Sequence, residues 1–378
     1  MNMQLEKAPH ILVIRLSAMG DVALMAPVLQ GLLNQHPTLK ISLLSLAKWA
    51  PIFKGIQRLT FIEAAPKTRH KGALGLWRLF QELSDHHFTA IADLHNVLRS
   101  QVLRLFFCFS NCPIAIIDKG RSEKKALTRT THKIFKPLKH SSQRYADVFA
   151  ALGYFVVLDK RALLAKPVIE LSAQSQRVPL QSTIKIGVAP FAAHTGKQYP
   201  LLQMREALQL FLAATNRSLD KALFNNSDQL PPYLEVKYEL FFFGGGLVEK
   251  PFIEALSKEF EGSTHTLVSS FEDQLSCIAH LDLMLAMDSG NAHLAAMYGV
   301  PTLTLWGNTH PYAGFYPFLQ PVEYALLADR VKYPGIPTSV FGNKVPQGYE
   351  KVMESITPEA VAKKMREILA KKDWPKDH

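Results

Sequence analysis

Short apolar runs recur along the chain, separated by stretches with helical spacing. HILVIRL (10–16) predicts a strand, and the apolar positions from Asp21 to Gln35 predict a helix. ISLLSL (41–46), TFIE (60–63), FTAIAD (88–93) and PIAIID (113–118) repeat the strand signal, with helices expected near Trp49, over Leu74–Leu83 and from Leu98. Runs that are apolar at nearly every position fit strands covered on both faces, so the alternation predicts a parallel, doubly wound sheet. A helix at Gln143–Leu152 and a polar linker, Glu170–Thr183, come next, and then the pattern restarts. IKIGVA (184–189), ELFFF (239–243), THTLV (264–268), DLMLAM (282–287) and PTLTLW (301–306) are its strands. Helices are expected from Leu201, from Glu249, over Phe271–Ala279 and from Asn291. Residues 214–236 read as a surface insertion, and an amphipathic helix, Pro358–Lys371, closes the pattern. The expected fold class is α/β, with two Rossmann-like domains facing across a cleft. Residues 1–172 form the first domain, 183–350 the second, and 351–378 a C-terminal helical segment.

Composition changes this picture in two places. Three cysteines, Cys108, Cys112 and Cys277, cannot build a disulfide framework and lack zinc-ligand spacing, which fits a reducing, cytoplasmic setting. The polar start, MNMQLEKAPH, does not read as a signal peptide. The apolar stretch Val102–Ile117 is interrupted by Arg104, Ser110, Asn111 and Pro113, so it does not read as a membrane span. The second change comes from charge. Residues 1–180 carry 25 Lys and Arg against 11 Asp and Glu, whereas residues 181–378 carry 18 against 21. Such asymmetry suggests that one half meets a polyanion or an anionic membrane surface. The densest stretch, Lys119–Arg144, includes Lys124, Lys125 and Arg129; it reads as the surface that meets such a polyanion or as a solvated basic loop.

Ligands of open α/β sheets bind beyond the carboxyl ends of the strands, and three such ends carry suitable residues. Asp288-Ser289-Gly290-Asn291-Ala292-His293 follows DLMLAM and opens a helix. Ser289 is placed as N-cap, Gly290 permits close backbone approach, and the helix start favours an anion. His293 in the first turn is either a phosphate donor or a packed core histidine. In IKIGVAPFAAHTGKQYP (184–200), Thr195, Gly196 and Lys197 occupy a loop before a helix. It is not a phosphate-binding GxxxxGK[ST] loop; Lys197 is a surface lysine or a point charge for a diphosphate. The opening loop, Arg15 to Asp21, contains Ser17 and Gly20 and lacks GxGxxG. Asp21 there is a helix-dipole carboxylate or a base at the lip of the cleft.

Together these segments resemble glycosyltransferase family 9, the ADP-heptose:lipopolysaccharide heptosyltransferases. ILVIRLSAMGDVALMAPVLQGL is similar to that family's opening strand, loop and helix, and LDLMLAMDSGNAHLAAMYGVPTLTLWG to its signature. DLHNVLRS (93–100), QRYADVFAALG (143–153) and ITPEAV (356–361) extend the resemblance over nearly the whole chain. It implies the GT-B fold, with acceptor bound by the N-terminal domain and donor by the C-terminal one, and an inverting reaction requiring no metal or other cofactor. Asp21 is then the general base. Lys197, Thr195, Asp288, Ser289, Gly290, Asn291 and His293 hold the donor, and Glu249, after Gly244–Gly246, lies near its ribose. The implied partners are a nucleotide-sugar donor and the anionic lipopolysaccharide core, with peripheral contact to the inner membrane and no nucleic acid. The chain departs from the family in having Tyr199 where Trp is common, DSG for DTG, and Ala192 and Ala193 in place of paired threonines. Other readings of the same residues are a GT-B transferase using another nucleotide sugar in surface-polysaccharide assembly, a basic nucleic-acid-binding protein, or an inactive interaction module. No helix-turn-helix, RRM, KH or zinc pattern accompanies the charge.

Overall fold

The computed structural model describes residues 8–108, 112–167, 183–223, 237–244, 246–260, 264–265 and 270–371. The expected linker up to residue 182, residues 224–236 of the expected insertion, Gly245 and the end of THTLV lie outside them. The chain divides into two compact units: residues 1–121 with 139–165, and residues 122–138 with 166–378.

The first unit is built on five parallel strands, β1 (His10–Ile14), β2 (Lys40–Leu46), β3 (Leu59–Ala64), β4 (Ala90–Asp93) and β5 (Ile114–Ile116), in the order β3-β2-β1-β4-β5. The central strands are buried along nearly their whole length, which explains their unbroken apolar runs. Edge strand β3 is only partly covered and keeps polar Thr60 and Glu63. Helices α1 (Met19–Gln35), α2 (Gly72–Ser84), α3 (Leu98–Phe107), α4 (Arg121–Thr128) and α5 (Ser141–Ala151) follow in chain order. The helix expected near Trp49 is a 3₁₀ helix, Ala47–Phe53, containing Pro51, which cannot donate to a longer ladder.

Among the described residues the second unit has six parallel strands, β6 (Thr183–Ala189), β7 (Lys237–Phe242), β8 (Thr264–His265), β9 (Leu283–Met287), β10 (Thr302–Trp306) and β11 (Ala325–Leu327). Their order is β11-β10-β9-β6-β7-β8. Its helices are α6 (Leu201–Leu223), α7 (Lys250–Glu259), α8 (Phe271–Ala279), α9 (Gly290–Met297) and α10 (Pro358–Ala370). Helix α6 runs ten residues into the stretch read as an insertion. Helix α10 belongs to this unit's core, where Val361, Met365 and Leu369 pack with Met204, Leu208 and Phe211.

Both sheets run outward in one direction from a central strand and then restart on its other side. The order therefore reverses between β1 and β4 in the first unit and between β6 and β9 in the second. At such a switch point the loops leaving adjacent strands diverge and open a crevice at the strands' carboxyl ends.

Candidate functional site

In the second unit the switch point brings together two loops that lie far apart in sequence. Lys197 closes a 3₁₀ turn, Thr195–Lys197, after β6, and Asp288 immediately follows β9. Lys197 Nζ lies 2.8 Å from Asp288 Oδ2 and donates to the Asp288 carbonyl at 3.1 Å. Thr309, after β10, donates its hydroxyl to the same carboxylate oxygen at 2.9 Å. Two of the three ammonium protons are thus used to fix the lysine, and the third has no partner among the described residues. The turn is held from below by Tyr199, fully buried, whose hydroxyl donates to the Ile356 carbonyl at 2.8 Å. An aromatic side chain therefore anchors this turn in the core.

Two glycines permit this packing. A Cβ on Gly196 would lie 2.7 Å from the Gly342 carbonyl oxygen, and one on Gly342 (φ +77°) would lie 2.5 Å from Lys197 Cγ. The loop at Gly342 thereby packs directly against the lysine stem.

Helix α9 starts beside the ion pair. Ser289 has the extended backbone of an N-cap, yet its hydroxyl makes no cap hydrogen bond. Its Oγ is buried and has no hydrogen-bond partner among the described residues, which is unusual for a buried hydroxyl and fits one that meets a ligand. Gly290 and Asn291 form the partly exposed start of the helix, and His293 is buried in its first turn. Thr195 is exposed at the head of its turn. Glu249 lies at the start of α7, after the neighbouring strand β7, and accepts from the Gly246 amide at 3.1 Å. The loops carrying Glu249, Lys197, Asp288 and Thr309 follow four adjacent strands, β7-β6-β9-β10. Thr309 did not emerge from the sequence, although its place after β10 was the available signal.

The first unit's switch point carries a second cluster. Asp21 stands in the first turn of α1, its side chain 28% exposed, and pairs with buried Arg15 at 2.5 Å through Oδ2. The Ala18 amide donates to the same oxygen at 3.5 Å, whereas Oδ1 receives a long bond, 3.4 Å, from the Tyr145 hydroxyl. Burial pushes the Tyr145 phenol far above its ordinary value, so it acts as a proton-bearing donor.

His95, after β4, faces the same loop. The Leu16 amide donates to its Nδ1 at 3.5 Å, which leaves the proton on Nε2, 3.5 Å from Ser17 Oγ. Burial, reinforced by Arg15 and Lys119, lowers the imidazole to about 4, so it is neutral near pH 7. The Lys119 ammonium is itself lowered by burial and by Arg15 and Arg121. Ser17 and Gly20 belong to the loop and first turn around Asp21. Arg15, His95, Lys119 and Tyr145 were not singled out from sequence. Arg15 shares the loop of Asp21, whereas His95 and Lys119 come near it because β4 and β5 lie beside β1, and Tyr145 because α5 packs on α1.

Lys124, Lys125 and Arg129 are not part of either cluster. Lys124 and Lys125 lie on α4, with Arg129 just after it, and residues 122–138 belong to the second unit rather than the first. Lys124 Nζ sits 4.2 Å over the Phe315 ring, and Arg129 donates to the His132 carbonyl at 2.6 Å. Lys125 is exposed.

Residues 233–334, which hold Glu249 and the whole turn from Asp288 to His293, match the family model described as glycosyltransferase family 9 (heptosyltransferase). Over this stretch the chain is similar to glycosyltransferase family 9. The chain is 23% identical over 312 residues to the lipopolysaccharide core heptosyltransferase OpsX of Haemophilus influenzae, covering 81% of each chain. A family 9 glycosyltransferase from Veillonella parvula superposes with a TM-score of 0.68 at 17% identity, over 98% of this chain and 100% of that one. The E. coli heptosyltransferase WaaC with ADP gives 0.63 at 17% identity, over 95% and 99%. The two parallel-sheet units are those of the GT-B fold.

Proposed function

We propose that this glycosyltransferase transfers heptose from ADP-heptose to the inner core of lipopolysaccharide, with inversion and without a metal, in the cytoplasm at the inner-membrane surface. The observation that carries the reading is the Lys197–Asp288 pair at the start of α9. It offers a fixed cation, an unused ammonium proton, an unpartnered Ser289 hydroxyl and helix-start amides, all suited to a diphosphate. The likeness to a lipopolysaccharide core enzyme and to a structure with ADP supports the choice of substrates.

The acceptor hydroxyl attacks the anomeric carbon from the face opposite the diphosphate. Asp21 Oδ1 takes its proton, because Arg15 already occupies Oδ2. As the anomeric carbon–oxygen bond breaks, the diphosphate departs with that oxygen, and the charge growing on it is met by Lys197, Ser289 and the amides at Gly290 and Asn291. Asp288 holds Lys197 in place, Thr195 and His293 flank the donor, and Glu249 meets its ribose. Lys124, Lys125 and Arg129 take the anionic acceptor.

Thermal shift with ADP, UDP and GDP tests the donor assignment. At about 100 times its Kd, ADP adds about 2.7 kcal/mol and raises Tm, and the rise shrinks in Asp288→Ala. A larger shift with UDP or GDP would overturn ADP-heptose as donor.

A further inference from the structure

The first unit carries an apolar face that plays no part in the chemistry above. Helices α2 and α3 pack side by side through aromatic rings. Trp77 meets Phe106 edge-on at 5.2 Å, and Phe80 lies 4.9 Å from Phe107. Their inner sides bury Leu76, Leu79, Leu83, Leu103 and Phe107 in the core. Their outer sides leave Leu74 86%, Trp77 46%, Leu98 75% and Leu105 60% exposed. Leu74 and Trp77 are one helical turn apart and Leu98 and Leu105 two, so each pair forms a stripe, and the Trp77–Phe106 contact joins the stripes.

Cations surround this face: Lys71 at the start of α2, Arg78 beside Trp77, and Arg99 beside Leu98 are all exposed. The two helices contain one carboxylate, Glu82, which pairs with Arg69 and His70. The surrounding unit has the same sign. It holds 18 Lys and Arg against 9 Asp and Glu, compared with 25 against 23 in the second unit.

We propose that the α2–α3 face docks this enzyme on an anionic lipid bilayer, with Leu74, Trp77, Leu98 and Leu105 at the headgroup–acyl boundary and Lys71, Arg78 and Arg99 on lipid phosphates. Three exposed cations against one carboxylate within the two helices, Glu82, already paired, complement a uniformly anionic surface; protein partners generally present mixed charge. Tryptophan and leucine beside arginine and lysine is the composition of segments that lie in a membrane interface. Among the described residues no helix is long and apolar enough to cross a membrane, so the contact is peripheral. The inference deepens the proposed function and rests on it for its purpose, bringing the enzyme to a lipid-borne acceptor.

Sedimentation with vesicles tests it without donor or acceptor. The parent should pellet with phosphatidylcholine–phosphatidylglycerol vesicles and far less with phosphatidylcholine alone. Leu74→Ser/Trp77→Ser, which leaves net charge unchanged, should weaken binding by about tenfold or more, and Leu98→Ser/Leu105→Ser should do the same from the other helix. Unchanged melting temperature, and unchanged transfer to a delipidated core oligosaccharide, would show that these variants are folded. A parent that does not pellet, that binds both vesicle types equally, or that is matched by both double variants overturns the docking face. Failure here leaves the glycosyl-transfer reading standing, since that is read from product formation.

Discussion

Asp21 is more than a helix-dipole carboxylate, because its partner Arg15 is buried and the pair is only 2.5 Å apart. Asp21→Asn therefore affects stability as well as chemistry. The amide can still accept from Arg15, but the charge-assisted bond is lost, at about 1–3 kcal/mol. Turnover separates the roles. As general base, Asp21→Asn lowers kcat by ~10²–10⁴-fold with ADP affinity unchanged; a structural carboxylate would leave kcat of the folded fraction near that of the parent. Asp21 was legible as a candidate because it follows a strand and opens a helix. Tyr145, 124 residues away, was not, because only the packing of α5 on α1 brings the two together. His95 makes a separate prediction. Its imidazole is held down to about 4 against an ordinary 6.5, so the folded state resists protonation. The stability of the neutral form is then fully present above about pH 6.5 and is lost as pH falls toward about 4. His310, also lowered to about 4 by burial, acts in the same direction. Melting temperatures across this range should fall less steeply in His95→Gln; identical slopes would contradict a buried neutral imidazole.

Among the elements, α9 and the Thr195–Lys197 turn were the most legible. Gly290 and Lys197 mark a helix start and a cationic loop by residue type alone. What the sequence did not reveal is that Lys197 is clamped by Asp288 and packed against Gly342, a close approach across the fold. Lys197→Ala leaves the mostly buried Asp288 carboxylate with Thr309, and should cost about 3–5 kcal/mol of stability together with ADP affinity. Gly342→Ala tests the geometry without removing a charge. A left-handed residue with a Cβ against the lysine stem costs about 1–2 kcal/mol for its backbone and should weaken ADP binding by displacing Lys197. ADP affinity equal to the parent's would show that the loop does not position the lysine. Helix α4 was read as a basic patch or loop because Leu127 is its only fully buried side chain and cations dominate its surface. Its membership of the second unit was equally hidden. Lys133 donates to the Gly335 and Pro337 carbonyls and Phe135 packs against His310, contacts between distant segments of that unit. If Lys124, Lys125 and Arg129 bind the anionic acceptor, reversing their charges raises acceptor KM more at low salt than at high and leaves ADP affinity alone. An unchanged KM would mark them as solvated surface.

At the scale of the whole molecule, the repeated strand–helix rhythm made the two parallel sheets legible. The short strand β11 and the membership of residues 122–138 were not, because three residues give little periodicity and a basic stretch gives no core signal. The organising feature is that each unit carries its chemical cluster where its own strand order reverses: Asp21 with Arg15 and His95 in one, Lys197 with Asp288 and Ser289 in the other. On the proposed reading, the first supplies a base and the second a diphosphate cradle, the two components that direct displacement at an anomeric carbon requires. If Lys197 and the start of α9 supply the positive charge, no divalent ion is needed to stabilise the leaving group. The most direct test is mass spectrometry of a heptose-deficient lipopolysaccharide core incubated with the enzyme, ADP-heptose and EDTA. The account predicts a mass increase of one heptose, undiminished by the chelator. An acceptor left unmodified under these conditions, but extended when Mg²⁺ is restored or another nucleotide sugar is supplied, would contradict it.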